Sequence, residues 1–141
     1  MTARAFDDPA VAAAFDALPA PQRHRLLAVR ELVFATAAAT PAIGALTESL
    51  KWGEPAYRPV RARTGTTVRL GITPRAADAC AVLVNCKTNL LATFRDLYPD
   101  SFGFEGERAL ILDPARPLPM DALSHCLSLA LTYHARPARA A

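Results

Sequence analysis

Long apolar runs are missing from this chain of 141 residues. A membrane-spanning helix needs about 20 consecutive apolar residues, so no helical span is expected. The opening residues, MTARAFDDPAV, carry acidic side chains where a signal peptide would hold its apolar segment. No export and a cytoplasmic address follow. Cysteine is scarce too. Cys80, Cys86 and Cys126 are an odd number with no C-x-x-C pair, which excludes a disulfide framework and leaves three free thiols. Cys80 and Cys86 are expected on one face of a strand and Cys126 inside an apolar helix, all three buried as small hydrophobes.

The short patterns that carry familiar chemistry are also absent. The chain has no G-x-S-x-G elbow, no Walker loop and no dinucleotide fingerprint. The histidines, His24, His125 and His134, make no obvious ligand set. His125 and Cys126 are neighbours, which a helix splays by about 100°, and His24 lies between Arg23 and Arg25. Ser124 and His125 diverge for the same reason and form no dyad. No catalytic residue, metal or cofactor is expected, and the chain reads as a non-enzyme. Lysine and arginine number 16 against 13 acidic residues, a net charge of +3. The basic residues are nevertheless scattered. Their densest stretch, RPVRARTGTTVR from Arg58 to Arg69, is interrupted by Thr64-Gly65 and reads as a solvated hairpin tip. With no aromatic platform and no recognition-helix pattern, a nucleic-acid partner is not expected.

What the sequence does hold is globular composition, 52% hydrophobic and 21% charged, enough for one self-sufficient core over residues 1–141. The ends, about 1–8 and 136–141, read as frayed. Asp8-Pro9 is an N-cap followed by a helix-starting proline. A second helix is expected from Pro21 to about Ala39, with Leu26, Val29, Val33 and Ala37 inward and Arg23, Arg30 and Glu31 elsewhere. Thr40-Pro41 repeats the start signal and predicts a third helix to about Leu50. Then AYRPV, TTVRLGIT and ACAVLVN read as strands of an antiparallel meander. A helix over residues 89–98 follows, then a strand or hairpin turning at Gly106. Pro119 starts a last long helix whose buried stripe is Met120, Leu123, Leu127 and Leu131. The fold class is α+β: a small antiparallel sheet with helices mainly on one face, a helical N-terminal third and a long C-terminal helix.

The candidate site is SLKWGEPAYRP, Ser49 to Pro59, which holds the only tryptophan. Pro55 forces Glu54 into extended backbone, and Gly53 permits a positive φ or a close approach. Trp52 reads either as a plug closing a helix-to-strand corner or as a pocket rim. In the second case Trp52 and Tyr57 form the apolar floor and Lys51, Glu54 and Arg69 supply polarity. Asn85 and Lys87 join from one face of the next strand. Two functions fit: a binding module for a small, anionic or amphipathic ligand at this corner, and a protein-interaction module or homodimer using the last helix, where Leu129 lies off the buried stripe.

The segments ESLKWGEPAY and LVNCKTNLLATFRDLYPDSFGFEGERALILDPARPLP, with the helix after them, resemble the YdhG-like bacterial domain family, a domain of unknown function. The likeness runs from about Leu32 to Tyr133. It implies a single α+β domain with a concave surface near the tryptophan, and no reaction. One member group is regarded as a frataxin-like intracellular iron chaperone. Weakly held iron requires hard oxygen ligands, and this chain offers only Asp7-Asp8 and Glu105 with Glu107.

Overall fold

The structure, a computed structural model, describes residues 3–76 and 78–135. Helix α1 (Pro9–Asp16) starts as its sequence predicts: the Asp8 side chain accepts from the Ala10 N–H at 2.9 Å and proline takes the first helical position. Helix α2 (Ala20–Ala39) follows. Strands β1 (Leu46–Lys51), β2 (Glu54–Pro59), β3 (Val68–Thr73) and β4 (Ala79–Leu83) come next. Helix α3 (Leu90–Leu97), strands β5 (Gly103–Glu105) and β6 (Ala109–Leu112), and helix α4 (Met120–Leu131) complete the order. The strands form one antiparallel sheet in the order β1-β2-β3-β4-β6-β5.

Strand alternation divides the sheet into two faces. Tyr57, Val68, Leu70, Val82 and Leu110 lie on the face where all four helices deliver their apolar side chains. Val11 and Phe15 of α1, Leu26, Val29 and Val33 of α2, Phe94 of α3 and Leu127 of α4 share that core. The opposite face carries Ala56, Arg69, Gly71, Ala81 and Leu83, three small residues and a leucine with one ionic interruption. This is the α+β architecture expected, with the helices on one side.

Four local expectations are corrected. Thr40-Pro41 opens only a single turn, closed by Ile43 N–H to Thr40 O at 2.9 Å, and Leu46–Lys51 is strand β1 rather than a third helix. The gain that overrides the start signal is a full hairpin with β2. The Thr64 loop is no solvated tip. Thr64 and Thr66 are buried, Thr66 N–H donates to Ala130 O, and the N–H groups of His134 and Ala135 donate to Thr64 O, sewing the loop to the end of α4. In α4 the buried stripe is Leu123, Cys126, Leu127, Ala130 and Leu131. Met120 sits in the first turn, before the core is reached, and is exposed. Cys80 and Cys126 are buried, but Cys86 lies beyond the end of β4 and is exposed.

Candidate functional site

The β1–β2 register pairs Lys51 with Glu54, so Trp52-Gly53 is a two-residue hairpin turn. Both residues are left-handed, with φ of 55° and 77°, the arrangement of a type I′ turn, whose twist suits a hairpin. A Cβ on Gly53 would touch nothing within 4 Å, so the glycine is required for its φ and not for space. The plug is therefore ruled out. No helix ends here, and the turn throws the Trp52 indole into water, 91% exposed.

Tyr57 is not at the rim either. Directly opposite Glu48 across the hairpin and on the helix-covered face, it is fully buried. Its hydroxyl donates to Glu48 Oε2 at 2.7 Å, and its ring meets Phe34 edge-on. Glu48 also accepts from Arg30 Nε at 2.6 Å and Nη2 at 3.1 Å. Arg30, 1% exposed, also donates to the carbonyls of Arg4 and Ala5 and, at 3.5 Å, to Glu31 Oε2, and lies over the Phe6 ring. Arg4 and Ala5, within the stretch read as a loose end, are strapped to the core by this guanidinium; residues 1–2 and 136–141 lie outside the described residues. Burial works against the Arg30 charge, but the hydrogen bond and charge of Glu48 outweigh it and raise its pKa above the ordinary value. Burial, then the Glu48 hydrogen bond and charge, raise the Tyr57 phenol well above its usual range. Arg30 was missed by sequence reasoning although its signal was present. It stands four residues after Leu26 and three before Val33, inside the apolar arc of α2.

On the open face a groove of about 310 Å³ lies beside the turn. Lys51 and Trp52 line it from the hairpin, Thr66 and Thr67 from the segment entering β3, Arg69 from β3 itself, and Asn85 and Cys86 from the loop after β4. Arg108 completes it from the β5–β6 connection. A second hollow of about 550 Å³ shares Arg69, Cys86 and Arg108 and adds Glu54, Thr73, Glu105 and Glu107. Arg69 Nη1 donates to Glu54 Oε1 at 2.6 Å, and Thr73 Oγ1 to Glu105 Oε2 at 3.0 Å. Burial raises the Glu54 pKa, and Arg69 and Arg108 offset only part of that.

The groove thus gathers Lys51, Trp52, Arg69 and Asn85, with Glu54 next door. It leaves out Tyr57 and Lys87. Asn85 and Lys87 do not share a strand face, because β4 stops at Leu83 and the Asn85 carboxamide accepts from the Lys87 N–H at 2.9 Å, a local turn that ends the strand. Sequence reasoning missed Thr66, Thr67, Cys86 and Arg108. Arg108 arrives because β6 pairs with β4 and its carbonyl accepts from the Val84 N–H, a contact between distant segments that no local pattern announces. Among the described residues, no group of three or more His, Cys, Asp or Glu is disposed to hold a metal ion. Among them, too, no helix is long and apolar enough to cross a membrane.

Among the described residues, a six-stranded antiparallel sheet covered on one face by four α-helices defines an α+β domain whose open face carries the groove. A solved protein shares this fold: YdhG of Bacillus subtilis, a protein from the DUF1801 family, superposes with a TM-score of 0.63 over 90% of this chain and 92% of that one, at 14% identity. At that identity the likeness is one of fold, and it is the fold the YdhG-like resemblance implies. Neither a protein-family model nor a curated protein sequence matches the chain.

Proposed function

We propose that the chain is a non-enzymatic binding module that holds a small molecule in the open-face groove beside Trp52. One observation carries the reading: the largest side chain in the protein stands almost wholly in water at the lip of a groove lined by Lys51, Arg69 and Asn85. An exposed indole contributes nothing to folding that alanine would not, and burying it against a partner is favourable by a few kcal/mol. The groove volume sits at the lower end of small-molecule sites, roughly 300–1,000 Å³.

A homodimer through α4 has less support. Its apolar residues from Leu123 to Leu131 are buried or half-buried against the chain's own core, Leu129 included. A frataxin-like iron role has no ligand set among the described residues to begin from. The test is native mass spectrometry of protein recovered from cells. A bound small molecule is expected on the wild type and reduced in Trp52→Ala and Arg69→Ala. A ligand-free wild type, or a bound mass indifferent to both substitutions, would remove the reading.

A further inference from the structure

We infer that the ligand of the groove carries a compact anionic group, a phosphate or a carboxylate, held among Lys51, Arg69 and Arg108, with a flat apolar part against the Trp52 indole. The inference rests on the binding reading above and specifies its chemistry. Three cations reach this groove from three separate segments: the end of β1, strand β3 and the β5–β6 connection. Among the described residues, no carboxylate lines it. Lys51 and Arg108 form no salt bridge among the described residues, and Arg108 acts on Glu54 only through space, so two positive charges converge with no carboxylate in contact. Thr66, Thr67 and Asn85 add neutral hydrogen-bonding groups beside them, a donor set that suits anionic oxygens. Among the described residues, the indole supplies the only large ring at that lip, and it is free on its outer side.

Arg69 is the shared element. Its partner Glu54 lines the neighbouring hollow, so the guanidinium stands between an internal carboxylate and the groove. The carboxylate can lie there because Gly71 has no side chain; a Cβ at that position would run into Glu54 Oε2. An incoming anion therefore competes with Glu54 for Arg69. Two substitutions on the open face then have opposite signs. Arg108→Gln removes a cation that no carboxylate contacts and weakens anion binding, and Glu54→Gln releases Arg69 and strengthens it.

Phenyl phosphate, benzoate and benzyl alcohol share a ring and differ in the head group, so they test the inference directly. Titration calorimetry and Trp52 emission are the readouts. The expected result is that at least one of the two anions binds and perturbs Trp52 while the alcohol does not. Added salt weakens that binding, Arg108→Gln weakens it about tenfold, as loss of one charge-assisted contact should, and Glu54→Gln tightens it severalfold. Which anion binds more tightly separates phosphate from carboxylate. Failure of both anions to bind, equal binding of all three probes, or indifference to Arg108→Gln overturns the anionic assignment. The groove reading survives such a result if a neutral or cationic metabolite still perturbs Trp52, and falls with it if none does.

Discussion

The β1–β2 hairpin shows two treatments of polar side chains on its two faces. On the helix-covered face, Glu48 and Tyr57 are cross-strand partners whose groups close on one another and on Arg30. On the open face and at the turn, Lys51 and Trp52 stand in water without an internal partner among the described residues, and only Glu54 is engaged, with Arg69. Buried polar groups must be satisfied or they cost several kcal/mol, so the first set is structural by necessity. The second set is under no such constraint. Its arrangement around a groove calls for a reason outside the fold, and the asymmetry is what directs the functional reading to the open face.

Breaking the inner face should have the largest effect. Arg30→Met leaves Glu48 buried without its charge partner and frees the N-terminal strap, and a loss of about 3–5 kcal/mol is expected in denaturant unfolding. A change near zero would mean that the network is not a closed unit. Alkaline titration comes next. Burial pushes the Cys126 thiol from 9.0 up to about 12, and Tyr57 is raised above its ordinary 10.0. Both groups hold protons more tightly folded than unfolded. Their contribution is therefore intact below about pH 9 and is lost progressively as pH climbs toward 12. Thermal scans across that window should show falling stability, and Cys126→Ala should flatten part of the slope. Gly53→Val comes third, because a β-branched residue at φ of 77° is strained, at a cost on the order of 1–3 kcal/mol. Smallest of all, Trp52→Ala should change stability by less than about 0.5 kcal/mol. A large loss there would erase the contrast between the faces.

How far the sequence reveals these features depends on the range of the interactions. The Asp8-Pro9 helix start, the alternation of Val68 and Leu70 in β3 and the interior of α4 are set by neighbours in the chain, and all are legible from it. The positive φ at Gly53 is legible as one of two options. The Trp52 plug fails because ESLK, a helical-looking segment, becomes a strand once β2 is available to pair with it. The groove is half-legible for the same reason. Lys51, Trp52 and Arg69 follow from the hairpin and the next strand, but Arg108 depends on β6 lying beside β4. The burial of Tyr57 is not legible, because its partner Glu48 comes opposite it only through the β1–β2 pairing. Arg30 reads as solvated in the sequence because arginine is almost never fully buried unless paired, and its partner Glu48 lies on another element.

The central claim, that Trp52 serves a ligand and not the core, can be tested by the emission of this single tryptophan. The account predicts a water-exposed spectrum in the folded protein that unfolding scarcely moves. It also predicts that the small-molecule fraction of a cell extract quenches or blue-shifts that emission, and does so less in Arg69→Ala. A shielded, blue emission that shifts to the red on unfolding, together with no response to the small molecules, would contradict it.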